Sequence, residues 1–300
     1  MTSRPLAVIG NVNVDIIIGP AVPWPQPGTE ALVDHGEIRI GGAAGNVGLT
    51  WDALRHPYQI AANTGDDHFG RWLREAFKAH SAKWPVTPTA TTFSVGVTHP
   101  DGERTFFTIA GHMPSLTLAQ VRGALDASAI EGGIVLVVGS YLTDALTDEY
   151  DNLFAWLREY RVDVALDTGW PIGGWTAETI ARTRGWLKRC RHVLLNDVEA
   201  KAVTATNSTL DALSALSGLV GEDAYIVIKC GSDGAVGRYR DAQIDIKAPS
   251  VTPIDTIGAG DVFDAAYLAE VANGTGFADA VAAGIRTASR AIATLPRQYR

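Results

Sequence analysis

The chain has 300 residues but only two cysteines, Cys190 and Cys230, far apart and without metal-ligand spacing. That scarcity excludes a disulfide framework and a cysteine metal site, and it fits a reducing cytoplasm. Each thiol reads as a small core residue. Basic runs are also missing. Charged residues make up 19% of the chain and the formal net charge is −8. A DNA or RNA partner is therefore not expected. A small anion is still allowed, because backbone N–H groups hold one without a basic surface. No apolar stretch approaches the roughly 18 residues of a membrane-spanning helix. The opening MTSRPLAVIGNVNVDIIIG is interrupted by Asn11, Asn13 and Asp15, so no secretory leader is expected and no membrane partner follows. Several motifs are absent as well: G-x-x-x-x-G-K-[ST], a G-x-G-x-x-G after the first strand, H-E-x-x-H and G-x-S-x-G. P-loop, dinucleotide, zinc-protease and serine-hydrolase chemistry lose their support with them.

What is present is an alternation. GIVLVVG (Gly133–Gly139), VDVALDT (Val162–Thr168), HVLLN (His192–Asn196) and AYIVIKCG (Ala224–Gly231) read as buried strands. Helical patterns lie between them near Asp148–Tyr160, Thr176–Lys188, Asp197–Thr204 and Thr209–Leu219. This rhythm argues for an α/β fold with a mostly parallel sheet covered on both faces. Upstream, Leu6–Ile18 reads as one strand leaving the core and then alternating. Gly41–Arg55 reads as a glycine loop and a helix whose inner stripe is Val47, Thr50, Trp51 and Leu54. Thr92–Gly111 reads as a hairpin around Pro100-Asp101-Gly102. A second hairpin and two helices, Asp261–Ala272 and Gly276–Thr294, close the chain. Residues 15–36 and 92–108 do not fit the wound pattern. They are expected to form a small β lid on a main domain made of 1–14, 37–91 and 109–300.

The stretch DTIGAGDVFDAAY (Asp255–Tyr267) carries the sharpest signal. Bare residues let a backbone approach a ligand, and a helix start favours negative charge. A phosphate fits there, with Asp261 beside it as a base. In isolation the same residues also suit a plain capped turn. GGAAGN (Gly41–Asn46), NTGDDHFG (Asn63–Gly70), NDVE (Asn196–Glu199) and KCGSDG (Lys229–Gly234) repeat the theme at strand ends, where wound α/β sheets bind ligands.

Together these blocks resemble the ribokinase-like carbohydrate kinases, also called the phosphofructokinase-B family, along essentially the whole chain. The resemblance implies a three-layer ribokinase-like α/β sandwich with a β lid. It also implies transfer of the γ-phosphoryl of ATP, with magnesium, to a hydroxyl of a small sugar. Asp261 is then the general base, and Gly258, Ala259 and Gly260 form the anion hole. Asn13, Asp15, Gly41, Gly42 and Asn46 match the family's sugar-binding positions, and Arg104 on the lid is a further candidate. A carboxylate such as Asp15 within an apolar stretch needs partners, and two sugar hydroxyls would supply them. Asn196, Lys229, Gly231, Ser232 and Gly234 match nucleotide positions, although Lys229 suits a solvated strand end equally. Glu199 is expected to act on magnesium through water. Asp255 opens the loop that holds a monovalent cation, potassium, in ribokinases.

Two departures stand out. Where sugar-phosphate kinases of the family often carry Lys, this chain has Ala43, which argues for an uncharged sugar. Its C-terminus, ASRAIATLPRQYR, lacks the family's usual Gly-containing ending. Trp24 and Trp170 are candidates to border the cleft or to pack in the structure. His99 and His112, which flank the hairpin, read as surface residues. Unpaired lid edges offer a route to a homodimer. The competing readings are a nucleoside kinase of the same family and a non-catalytic sugar or nucleotide sensor.

Overall fold

The computed structural model describes residues 3–99 and 104–299, without the side chain of Arg104. The strands are β1 (Leu6–Ile9), β2 (Asn13–Gly19), β3 (His35–Gly41), β4 (Tyr58–Ala61), β5 (Thr64–Gly65), β6 (Val86–Thr87), β7 (Phe93–Thr98), β8 (Arg104–Ile109), β9 (Ile134–Val138), β10 (Asp163–Asp167), β11 (His192–Asn196), β12 (Tyr225–Lys229), β13 (Ala235–Tyr239) and β14 (Ala242–Ile246). The helices are α1 (Ala43–Leu54), α2 (His68–Phe77), α3 (Leu118–Ala124), α4 (Asp144–Thr147), α5 (Tyr150–Glu159), α6 (Ala177–Leu187), α7 (Asp197–Thr204), α8 (Thr209–Leu219), α9 (Ala259–Ala272) and α10 (Phe277–Ile292).

Eight strands share one sheet in the order β14-β13-β12-β11-β10-β9-β1-β4. The six from β12 to β4 run parallel, and the β13–β14 hairpin adds antiparallel at one edge. Burial on both faces explains the unbroken apolar runs: every residue of Ile134–Val138 is buried. Alternate side chains divide between two cores. Ala7, Val135, Val137, Leu166 and Leu195 pack with α3, α5, α6, α7 and α8. Leu6, Val8, Leu136, Ala165 and Leu194 pack with α1, α2, α9 and α10. The result is helix, sheet and helix in three layers.

A separate sheet has the order β3-β2-β7-β8. The run expected as one strand over Leu6–Ile18 divides between the two sheets. A side chain at Gly10 would lie 2.6 Å from the Val138 carbonyl oxygen, so the chain crosses β9 closely before it turns away. Asn13 then pairs with Gly41, and β3 delivers the chain directly into the glycine loop. β7 and β8 pair antiparallel, as the hairpin pattern predicts. Their Pro100-Asp101-Gly102 turn lies outside the described residues.

Within α1, Val47, Thr50 and Trp51 are buried, while Leu54 is half-buried. Helix α3 falls where the sequence pattern predicts no element. Its signal is Thr117 and Gln120, which form a reciprocal capping box. His112 corrects the expectation of a surface residue, since it is fully buried. Its Nδ1 accepts from the Thr92 N–H at 2.9 Å, and its Nε2 stands 3.1 Å from the Val12 carbonyl. Thr92 leads into β7 and Val12 into β2, so one imidazole ties together the roots of two small-sheet strands.

Candidate active site

Helix α9 starts at Ala259, two residues earlier than the sequence pattern predicts, so most of the glycine stretch is its first turn. Gly258 caps it with φ 73°, a conformation that glycine adopts without strain. The first N–H groups of such a helix have no intrahelical acceptor, and they point out of its end. Asp261 sits in this turn. Its Oδ2 accepts from Asn46 Nδ2 at 2.7 Å. Asn46 also crowds Gly258, where a side chain would lie 2.5 Å from that same amide nitrogen. The contact depends on α1 packing against α9. Trp51 is fully buried and donates from Nε1 to the Ala265 carbonyl at 2.8 Å. Loss of solvation, and next the Asp167 carboxylate, push the Asp261 carboxyl up to about 6.

From Asn46 the polar cleft continues to the small sheet. Asn13 Nδ2 donates to Asp15 Oδ1 at 2.8 Å, and Asn11 Nδ2 donates to Asn13 Oδ1 at 3.2 Å. All three side chains belong to buried residues. Gly41 and Gly42 are bare because no side chain fits. One at Gly41 would strike the Asp15 carboxylate, and one at Gly42 would lie 2.6 Å from Asn13 Oδ1. Asn11, whose Oδ1 is buried without a partner, belongs to this cluster although the sequence pattern did not single it out. Burial raises the Asp15 carboxyl above its usual range, against the pull of Arg39. Arg104 heads β8, and its side chain lies outside the described ones.

On the other side of Asp261 lies a cavity of about 440 Å³. Lys229, Gly231, Ser232 and Gly234 line one wall, and Ala259 and Gly260 line another. Pro249, Val251, Phe263, Ile285 and Ile292 close it with apolar surface that the motifs did not single out. Volume and lining suit a small-molecule site with an apolar end and a glycine-rich polar end. That is the shape a nucleotide needs, with its base on the apolar wall and its phosphates at the loops.

Lys229 is not the solvated strand-end residue that its position allowed. Its Nζ donates to Asp167 Oδ2 at 2.8 Å and to both oxygens of Asp264 at 2.9 and 3.0 Å. A side chain at Gly260 would meet that nitrogen at 3.4 Å, so the ammonium faces the helix start. Burial raises Asp264 well above the usual carboxylate range. Burial also raises Asp167, but the Lys229 ammonium together with the hydrogen bonds from Lys229, Asp264 and the Gly169 N–H holds that carboxyl below its usual range. The cluster thus gathers one ammonium between two carboxyl groups.

Asn196 and Glu199 form a capping box on α7. The Glu199 N–H donates to Asn196 Oδ1 at 2.8 Å, and the Asn196 N–H donates to Glu199 Oε2 at 3.0 Å. Burial, and then Asp167, push the Glu199 carboxyl up to about 7. Among the described residues no three His, Cys, Asp or Glu side chains converge as a direct metal cluster. Glu199 beside Asn196 is the group that would hold magnesium through water.

Asp255 lies on the loop leading into Gly258. Its Oδ1 accepts from the Ile257 N–H at 3.0 Å, and its Oδ2 is shared by Arg39 and Arg297, the latter at 2.6 Å. A monovalent cation does not fit a carboxylate already engaged by two guanidinium groups. Trp24 is half exposed and stacks on His99 with ring centroids 5.1 Å apart. Trp170 is likewise exposed and meets Trp175 edge-on at 6.0 Å.

A parallel sheet between two helical layers, a separate four-stranded sheet beside it and a bare helix start at the sheet's C-terminal edge together define a ribokinase-like α/β protein. The chain belongs to the pfkB family of carbohydrate kinases, whose family model matches residues 3–295. It is 23% identical to a ribokinase of Bacillus subtilis over 98% of this chain and 95% of that protein. It is 26% identical to a 1-phosphofructokinase of Haloferax volcanii over 89% of this chain and 84% of that one. The structure of Arabidopsis thaliana ribokinase complexed with ribose and ATP superposes with a TM-score of 0.78 at 20% identity, covering 98% and 94% of the two chains. At that identity the likeness concerns the fold. Among the described residues no helix is long and apolar enough to cross a membrane.

Proposed function

We propose that this carbohydrate kinase transfers the γ-phosphoryl group of ATP to a hydroxyl of a small, unphosphorylated sugar. The observation that carries the reading is the Asp261 carboxyl at the bare start of α9. It is aimed by Asn46 and raised to about 6, between an amide-and-carboxylate cleft and a glycine-lined cavity. Asn13, Asp15 and Asn46 would hold sugar hydroxyls, with Gly41 and Gly42 clearing the approach. Asp261 takes the proton from the attacking hydroxyl, and a positioned base commonly contributes about 10²–10⁴-fold. The N–H groups behind Gly258–Gly260 receive the charge of the transferring phosphoryl, which needs positioning and electrostatic stabilisation more than covalent help. Gly231, Ser232 and Gly234 would cradle the nucleotide, and Lys229 would hold the acidic cluster in register. Magnesium, held through water by Glu199 beside Asn196, would neutralise phosphate charge.

The four-stranded sheet (residues 15–36 and 92–108 with their flanks) serves as a lid that excludes water when sugar is bound. Ala43, in place of a lysine, favours a sugar without phosphate, unlike the substrate named for the Haloferax relative. Trp24 already has a stacking partner in His99, which favours a sugar over a nucleoside base. Ile38, Phe106, Phe107 and Ile109 leave apolar surface exposed on the small sheet, which supports pairing of two lids. Light scattering should show a concentration-dependent dimer, and a monomer throughout the range would remove that part.

A panel of free pentoses, hexoses and nucleosides with ATP tests the substrate class. Asp261→Asn should lower kcat by at least about 10²-fold while ATP affinity stays within a few-fold. Unchanged turnover would sink the assignment of the base.

A further inference from the structure

The loop Ile254–Gly258 feeds the anion hole, so whatever fixes its carbonyls fixes the first turn of α9. Its outer end is pinned by backbone: the N–H groups of Ile254 and Asp255 both donate to the Ile292 carbonyl, at 2.7 and 3.1 Å. At its inner end the Thr256 carbonyl accepts from the Ala259 N–H at 3.2 Å. There the C-terminal segment folds back and inserts Arg297. Arg297 Nη2 donates to Asp255 Oδ2 at 2.6 Å, closely to the Ile257 carbonyl, and at 3.4 Å to the Asp255 carbonyl. One nitrogen is thus surrounded by a carboxylate and two main-chain oxygens of a single turn, an oxygen set that a small cation would also choose. The Arg297 side chain is only 13% exposed and the Asp255 side chain 16%.

Arg39 also donates to Asp255 Oδ2. Asp15 lies directly across from Arg39 in the small sheet. Glu37 stands 3.8 Å from Arg39 as well, so both guanidinium groups here are held by carboxylates, and a cation at this turn would have to displace Arg297 from the Asp255 oxygens.

We infer that Arg297 is a tethered replacement for a monovalent cation: a positioning residue that clamps the loop before the anion hole and makes the enzyme independent of potassium. The inference rests on the proposed kinase reading for its catalytic consequence but not for its binding consequence. Arg297 touches no reacting atom. It acts through the Ile257 carbonyl, one residue from the Gly258 cap. Loss of the guanidinium should leave the sugar KM nearly unchanged, slacken the anion hole and lower kcat.

The test begins with the unaltered enzyme at constant ionic strength in potassium, sodium or tetramethylammonium chloride. Thermal midpoint and, once a sugar is found, kcat should be the same in all three. Severalfold activation or a clear rise in midpoint with potassium alone would overturn the inference. Arg297→Ala should then lose kcat about tenfold or more and regain part of it with millimolar guanidinium or potassium. Arg297→Lys should sit between the two. An alanine variant with normal kcat in tetramethylammonium would equally refute the clamp. If Arg297→Ala does not fold, the cation panel on the unaltered enzyme still decides. If no sugar is phosphorylated, the kinase reading fails alone, because the midpoint comparison needs no turnover.

Discussion

The imidazole of His112 gives a pH test of how the small sheet is rooted. Thr92 donates its N–H to Nδ1, which must therefore be bare, so the ring proton sits on Nε2 facing the Val12 carbonyl. The neutral tautomer is fully satisfied. A second ring proton would set two donors against each other at Thr92. Burial accordingly lowers the folded-state pKa from 6.5 to about 4, even though the Asp67 carboxylate pulls the other way. Because the folded value is depressed, the neutral ring's contribution is complete above pH 6.5 and is lost as pH falls toward 4. Between pH 7.5 and pH 5 the linkage costs about 2 kcal/mol of stability. The measurement is urea unfolding of the unaltered protein and His112→Gln at several pH values. The variant should be less stable at pH 7.5, and the gap should close by about that amount at pH 5. A gap that stays constant with pH would refute the argument, whatever its size.

Lys229→Met leaves Asp167 and Asp264 facing each other without their cation, and should cost about 3–5 kcal/mol of unfolding free energy; a urea midpoint equal to that of the unaltered protein would contradict it. Glu199→Gln keeps an acceptor for the Asn196 N–H and removes a charge that burial disfavours. With a folded pKa raised to about 7, the glutamate costs stability as pH rises through that value, so the variant should gain in relative thermal midpoint from pH 6 to pH 8. Parallel pH profiles would rule that out. As the proposed base, Asp261 would have to be ionised to accept a proton, so kcat should fall about tenfold per unit below its pKa near 6; a flat acid limb would point to another base.

The parallel sheet was legible because strands buried on both faces must be apolar at consecutive positions, as Ile134–Val138 are. The glycine loops were legible because bare backbone before a helix has few other uses. Long-range charge pairing was not. Asp264 lay in plain view inside DTIGAGDVFDAAY, but nothing local says that it faces Lys229, 35 residues earlier. Arg39 and Arg297 carry no periodic or capping signature, and they meet Asp255 only because β3, the loop and the C-terminal segment converge. His112 looked like surface because a polar residue beside a hairpin usually is. Its burial follows from two free backbone groups that happen to sit on either side of it.

The Asn46–Asp261 hydrogen bond spans 215 residues of sequence. During synthesis the glycine loop and α1 emerge early, yet the face of α1 that carries Trp51 stays uncovered until α9 leaves the ribosome. Such distant pairing is slow, and it leaves apolar surface waiting. A truncated chain ending before α9 lacks the Ala265 carbonyl that Trp51 bonds, and it presents the α1 face to chaperones or to other nascent chains. The α1 face is closed only when the last two helices arrive.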